Sequence, residues 1–447
     1  MLNQKIFKAY DIRGIYPEEI NEETAYKIGA AFAVFIKKVS NKDNPQIVVG
    51  RDNRKSSDSL FNELKKGIIG QGANVIDIGL SATPTLYFSV ANYKYDGGIN
   101  ITSSHNPKQY NGFKMVREEA IPLSGDSGIG EIKELVLSNN FIEVEKIGKI
   151  IRKDVSDDYI SINKEKDSFD IKMIVDTANS VSGVLVPKMF NQVNLTHIFS
   201  ELDGDFPNHE PDPHKKENIE KLQKKVIEDK ADFGVALDGD GDRVFFINEK
   251  GNVIPSDMIL SLMSSLILKD NPNNKILYDI RCSNVVRETI NSLKGEAIIS
   301  KVGHSFIKAL MKEKDIIFGG EYAGHYYLRQ SGSYYEAPYF VIFTILKEIK
   351  KTGKKLSELI EPFEKYYHSG EINFKADNKE EIINKVKEKY IDGKLLTIDG
   401  VRIDFDDWWF SIRASNTEPI LRLIVEGKTK EIMEEKLKEI EEIIQAQ

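Results

Sequence analysis

Cysteine is nearly missing from this chain: Cys282 is the one thiol in 447 residues. That excludes an intrachain disulfide framework and a cysteine-based zinc site, so the expected setting is reducing and cytoplasmic, with Cys282 a small core hydrophobe. Positive charge is not in surplus either. The formal net charge is −8, the wrong sign for a surface that grips nucleic acid or anionic lipid, and small molecules are the expected partners. Long apolar runs are lacking. Stretches such as Ile28 to Ile36 are far too short to span a bilayer, and the start MLNQKIFKAYDIRG has no apolar signal core. No low-complexity or proline-rich linker separates the parts, which predicts units that pack together around shared space.

What is present reads as a series of α/β units. A chain of this length holds about three domains, and four also fit. From Gln46 to about Lys350, short apolar runs alternate with helical periodicity, the pattern of βαβ units and mainly parallel sheets. Strands are expected at 47–50, 75–78 and 98–101. Between the first two, Leu60, Leu64 and Ile68 recur at helical spacing over 56–71, with Ser56 or Ser57 as N-cap. A charged segment, 146–167, leads to a second unit with a strand at 172–176. A third begins near Val253, with helices at 258–268 and 336–351 and strands at 275–279 and 315–318. After about Pro362 the chain turns to Lys/Glu-rich helices (379–389, 428–444) around strands near Leu395, Val401 and Trp408, an α+β pattern. In the last helix, Ile432 or Met433, Leu437, Ile440 and Ile444 form the core stripe.

Asp238-Gly239-Asp240-Gly241-Asp242-Arg243 is the most informative segment. Three carboxylates at alternate positions repel one another unless they surround a hard cation that takes oxygen ligands, such as Mg²⁺ or Ca²⁺. The two glycines can adopt positive φ and turn the aspartates toward a common point. An EF-hand does not fit. Its sixth position would be Arg243 where glycine is needed, and 231–237 reads as a buried strand where a helix should enter. A solvated acidic turn stays open, whereas 202–205 (LDGD), with two carboxylates and no third, reads as a plain loop.

Three further clusters carry chemistry. Thr102-Ser103-Ser104-His105-Asn106-Pro107 follows a strand and displays hydroxyls where α/β sheets bind ligands, although a helix-capping turn is an equal alternative. A Ser-His-Asp hydrolase is disfavoured because the G-x-S-x-G elbow is missing. Arg413-Ala414-Ser415-Asn416-Thr417-Glu418-Pro419 offers a guanidinium fork with hydroxyl and amide donors, a set suited to phosphate or to an ordinary polar turn. Gly319-Gly320-Glu321-Tyr322-Ala323-Gly324-His325 offers a carboxylate, which accepts well from vicinal sugar hydroxyls, and an imidazole.

Together TSSHNP, DGDGDR, GEYAGH and RASNTEP stand in the order and spacing of the α-D-phosphohexomutase superfamily. The chain resembles its phosphomannomutase/phosphoglucomutase branch, and 7–14 (FKAYDIRG) and 205–209 (DFPNH) extend the likeness along the whole length. The resemblance implies three similar α/β domains with mainly parallel mixed sheets and a smaller α+β C-terminal domain around a central cleft. Residues 1–150 would carry the phosphoserine loop, 151–252 the metal loop, 253–365 the sugar loop and 366–447 the phosphate loop. By the same resemblance Ser104 is the phosphoserine, and Asp238, Asp240 and Asp242 hold Mg²⁺ with an oxygen from Ser104. Tyr10, Arg13, Lys114 and His325 lie near the transferred phosphoryl group, Lys114 and His325 being the candidates for proton transfer. Arg243, Arg281, His304 and Glu321 contact substrate, while Arg413, Ser415, Asn416 and Thr417 hold the phosphate that is not transferred.

The implied reaction interconverts a hexose 1-phosphate and a hexose 6-phosphate, of mannose or glucose, through a hexose 1,6-bisphosphate that is both intermediate and activator. The enzyme would be a cytoplasmic isomerase, monomer or homodimer, with no nucleic-acid or membrane partner. Alternatives are a phosphoglucosamine mutase, a sugar-phosphate-binding relative without turnover, and a Mg²⁺-dependent phosphatase. Asn416 favours the hexose branch, where glucosamine enzymes tend to have glycine. The chain departs from the family pattern at Ala323, where a serine is usual, at Arg281, where relatives often have lysine, and at 406–409 (DDWW).

Overall fold

The computed structural model describes residues 3–141, 144–414 and 420–446. It contains four β-sheets and divides into two compact units, Met1–Pro255 with Ala323–Glu358, and Ser256–Tyr322 with Leu359–Gln447. Among the described residues no helix is long and apolar enough to cross a membrane.

The first sheet of the larger unit has a parallel core of Gly97–Ile101, Gln46–Arg51, Asn74–Leu80 and Ile150–Arg152. Tyr110–Arg117 and Ile12–Ile15 continue it antiparallel. Every residue of Gly97–Ile101 is buried, as befits a strand covered on both faces. Helix Ser57–Gly70 returns the chain between two of these strands and buries the expected stripe of Leu60, Leu64 and Ile68. Its N-cap is Ser56, one of the two expected positions, but the side chain makes no capping bond; the neighbouring Ser57 hydroxyl donates to the carboxylate of Asp52. Because the core strands are parallel, their carboxyl ends share one edge, where the turns at 52–56, 81–83 and 102–107 emerge together.

In the second sheet, Val193–Ile198, Phe169–Asp176 and Phe233–Leu237 are parallel, then Val244–Asn248 and Val253–Ile254 run antiparallel. Leu237 pairs with Val244, so the aspartate segment is the whole connection of a hairpin. Phe233–Leu237 is a fully buried strand, which leaves no entering helix for an EF-hand. Helix Pro338–Thr352 belongs to this unit: the Phe343 ring lies 5.1 Å from Phe190 and 6.3 Å from Phe169. An isolated bridge between Arg243 and His325 brings the start of the 323–358 segment against the aspartate hairpin.

In the other unit, Glu296–Ser300, Lys275–Asp279 and Phe318–Gly320 are parallel. The strand expected at 315–318 starts only at Phe318, because Asp315, at φ 51°, closes the preceding helix in the left-handed conformation. The last sheet is antiparallel, ordered Tyr367–His368, Ile420–Gly427, Trp408–Ala414, Val401–Asp404, Lys394–Leu396, with Ile372–Lys375 also paired to Ile420–Gly427. One face packs Phe410, Ile412, Leu421 and Leu423 against Ile440 and Ile444 of helix Lys430–Gln445, with Met433 and Leu437 at the margin. The two-residue period of a strand sends Arg402, Asp404, Arg413, Arg422 and Glu426 to the opposite face.

Candidate active site

The turn after Gly97–Ile101 is held from below by one buried side chain. Arg54 Nη2 donates to the carbonyls of Ser104 (2.8 Å) and Asn106 (2.6 Å), and Nη1 donates to those of Pro107 (2.7 Å) and Tyr110 (3.2 Å). Asp52 orients Arg54, accepting from its Nε at 3.1 Å and its backbone N–H at 3.0 Å. Ser104 itself has φ 51°, an unusual conformation for a residue with a Cβ. Its N–H donates to Thr102 Oγ1 at 2.9 Å, and its hydroxyl points away from the turn to Asp238 Oδ2, also at 2.9 Å. His105 Nδ1 is 3.2 Å from the same hydroxyl, and burial, followed by Arg243 and Arg13, pushes its imidazole well below the ordinary range.

The aspartate hairpin fits beneath this turn because it has glycines. A Cβ on Gly239 would stand 2.3 Å from the Ser104 carbonyl oxygen, and Gly241 has φ 69°. Asp238 Oδ1 accepts from the backbone N–H groups of Asp242 (3.1 Å) and Arg243 (3.2 Å), closing the loop on itself. Asp240 Oδ2 accepts from Thr83 Oγ1 at 2.6 Å, and Asn100 Nδ2 donates to that same Thr83 oxygen at 3.0 Å. The Lys114 ammonium lies 2.7 Å from Asp240 and also bonds Asp242. Burial favours neutral forms here, but Asp240 and Asp242 together hold Lys114 well above its ordinary pKa. Asp238 is raised by burial and by its two anionic neighbours, whereas Lys114 and His325 overcome burial and keep Asp242 low.

This arrangement fits a hard cation. Asp238, Asp240 and Asp242 are almost completely buried and present ligand oxygens within 4.8 Å of one another. Asp240 Oδ1 is buried and makes no hydrogen bond, an expensive state for a carboxylate oxygen unless a cation completes it.

Of the other residues singled out in the sequence, Arg13 donates to Asn106 Oδ1 at 2.8 Å and pairs with Asp11 at 2.6 Å, which sets it beside the serine turn. Tyr10 lies half-buried in the bend that precedes this strand. Arg243 Nε is 3.3 Å from His325 Nε2, which is itself 3.2 Å from Asp242 Oδ1. Ser104, Lys114, the three aspartates, Arg13, Arg243 and His325 are thus gathered within one unit.

The remaining candidates belong to the other unit. Arg281 is buried on Asp279, Nη2 to Oδ2 at 2.7 Å, and reaches Glu321 at 3.4 Å; Asp279 also accepts from the backbone N–H of Tyr322 at 3.0 Å. The Arg281 and Glu321 side chains therefore share one ion-paired cluster. His304 opens helix His304–Lys314, after Gly303. Arg413 pairs with Glu371 (2.7 Å) and Asp399 (3.1 Å). Ser415, Asn416 and Thr417 lie outside the described residues.

Sequence reasoning overlooked several participants. Arg54 and Asp52 had a weak signal, an Asp-x-Arg at the carboxyl end of a parallel strand. Thr83 had none, being an ordinary helix-start threonine. Asp205, placed on a plain loop, does lie in a turn, but it pairs with Lys55 and Lys108, on either side of Arg54 and the serine turn.

A hydroxyl aimed at clustered carboxylates, with cations placed to neutralise them, serves phosphoryl transfer, where alignment and charge compensation supply most of the catalysis. The site and the serial α/β units define an enzyme of that class. Family models for phosphoglucomutase/phosphomannomutase match throughout: alpha/beta/alpha domain I at residues 4–143, domain II at 152–251, domain III at 255–366, and the C-terminal domain at 371–443. A phosphomannomutase of Methanocaldococcus jannaschii is 40% identical over 98% of this chain and 97% of its own length. One from Escherichia coli is 36% identical over 94% of each. A solved phosphoglucomutase/phosphomannomutase family protein from Burkholderia thailandensis superposes with a TM-score of 0.91 at 30% identity, covering all of this chain and 98% of the other. The chain belongs to the phosphoglucomutase/phosphomannomutase family and is an isomerase.

Proposed function

We propose that the chain interconverts hexose 1-phosphate and hexose 6-phosphate, with mannose or glucose as the sugar, by way of phosphorylated Ser104. The observation that carries this reading is the 2.9 Å contact between Ser104 Oγ and Asp238 Oδ2, which joins the nucleophile to the carboxylate cluster. In the first half-reaction the bond between phosphorus and Ser104 Oγ breaks, and a bond forms to the free 6- or 1-hydroxyl of the sugar. The hydroxyl proton passes to a base, for which His325 is the candidate, while Lys114, held protonated by Asp240 and Asp242, is the candidate to give a proton to the departing Ser104 Oγ. The resulting hexose 1,6-bisphosphate turns over and returns its other phosphate to Ser104. Asp238, Asp240 and Asp242, with an oxygen of the serine phosphate, would hold Mg²⁺, which supplies Lewis-acid neutralisation of the transferring group. Arg13 and Arg243 add fixed positive charge beside it. Arg413 recognises phosphate without regard to the sugar, which lets one site accept either end of the bisphosphate.

The test is turnover of mannose 1-phosphate and glucose 1-phosphate to the 6-phosphates, together with the intact mass of the protein. One added phosphate on the TSSHNP peptide, and loss of both phosphate and turnover in Ser104→Ala, are expected. Normal turnover by Ser104→Ala, or release of inorganic phosphate without isomerisation, overturns the proposal.

A further inference from the structure

The register of the C-terminal sheet sets Arg413 directly opposite Arg422. Like charges at directly opposed positions destabilise a sheet, and here one carboxylate reconciles them. Glu371 Oε2 accepts from Arg413 Nη2 at 2.7 Å, and its Oε1 accepts from Arg422 Nη1 at 3.1 Å. Arg281 Nη1 stands 3.9 Å from Oε2. On the other side of Arg413, Asp399 Oδ2 takes Nη1 at 3.1 Å. Both prongs of the guanidinium assigned to phosphate are therefore engaged by carboxylates. A phosphate that takes the same two N–H groups competes with these carboxylates.

Glu371 is the one held by side chains alone. Asp399 is also anchored by the backbone N–H of Val302 at 3.1 Å, whereas the bonds described for Glu371 are all to arginines. Glu371 directly follows Gly370, whose φ of 75° marks a turn ahead of strand Ile372–Lys375. Burial disfavours its charge, but the surrounding arginines, Arg281 first, keep its carboxyl below the ordinary range, so the competing group is an anion.

We propose that Glu371 is a built-in competitor for phosphate, and that Arg422 is a second phosphate-binding arginine which the ligand gains when Glu371 moves aside. This rests on the hexose-phosphate reading and explains a need particular to it. A bisphosphate that must let go, reverse and bind again is served by a phosphate site whose grip is reduced by an internal anion. Arg422 was not among the residues singled out in the sequence, because its role depends on a cross-strand neighbour.

Calorimetric titration of the full chain with inorganic phosphate tests it, using the wild type, Glu371→Gln, Glu371→Asp and Arg422→Gln, each also in an Arg413→Gln background that isolates this site. Glu371→Gln should tighten binding by about tenfold, the scale of one charge-assisted hydrogen bond no longer lost on exchange. Glu371→Asp, too short to bridge both arginines, should tighten it less, and Arg422→Gln should weaken it. Far-UV circular dichroism checks that each variant folds; Glu371→Asp carries the test if the glutamine form does not. Unchanged or weaker binding in the Glu371 variants overturns the competitor role, and unchanged binding in Arg422→Gln overturns that of Arg422. If Arg413→Gln leaves the wild-type titration unaltered, the phosphate-site reading itself fails.

Discussion

Arg54 Nη2 donates to the carbonyl oxygen of Ser104 at 2.8 Å from a guanidinium with no exposed surface. The conformation of Ser104 is thereby tied to a residue 50 positions away in the chain. Arg54→Ala leaves the carbonyls of Ser104, Asn106, Pro107 and Tyr110 without this donor, a loss of about 1–3 kcal/mol at the buried Ser104 oxygen if nothing replaces it. A lower denaturation midpoint and little turnover are expected. Arg54→Lys cannot reproduce the fork, so it should fold with much reduced kcat and a KM near that of the wild type, as measured in a coupled isomerase assay.

Gly239→Ala tests the close approach of the two loops. The added methyl would sit 2.3 Å from the Ser104 carbonyl oxygen, and backbone is not free to yield. A displacement of about 1 Å costs on the order of a hundredfold in rate, visible as lost kcat, and the overpacking should lower the thermal midpoint as well.

Thr83→Val removes the hydroxyl that donates to Asp240 Oδ2 at 2.6 Å while keeping the side chain's shape. Groups that orient a metal ligand typically contribute 10–100-fold to affinity, so Mn²⁺ binding followed by electron paramagnetic resonance should weaken by about that factor. Asp240→Asn should weaken it further. Chelation of divalent ions should stop turnover, with recovery on adding Mg²⁺.

His209 provides a pH-dependent contribution to stability. Its Nε2 lies 3.1 Å from Asp176 Oδ2; burial lowers the imidazole pKa, but the bond and charge of Asp176 prevail and raise it. A group whose folded pKa exceeds its unfolded value, about 6.5, adds stability that is complete below that pH and fades as pH rises through the folded value. Urea midpoints of the wild type should therefore fall across this window relative to His209→Gln. Parallel midpoints in the two proteins count against the pair.

How much of this was legible in the sequence depends on the range of the cause. The buried strand Phe233–Leu237, the helix Ser57–Gly70 and the turning of the aspartate segment follow from periodicity and glycine placement within a few residues. Ser56 is the N-cap at one of the two positions the sequence offers, but its cap bond does not form, its hydroxyl accepting from the distant Asn111 Nδ2 at 2.8 Å. The strand starting at Phe318 was misplaced by three residues, because apolar character does not reveal the left-handed residue that ends the helix before it. Glu371 and Arg422 left no local trace at all, since neither belongs to a motif and their meeting is a matter of register.

The order of residues by itself determined which chemical groups are available and how their own turns bend, because rotamer, φ and apolar period are properties of a few adjacent residues. Only the tertiary structure decided which charges meet. Ser104 and Asp238 are 134 positions apart, yet stand within a hydrogen bond. Coulomb energy and hydrogen bonding depend on distance through space, and that distance is set by how the sheets and helices pack.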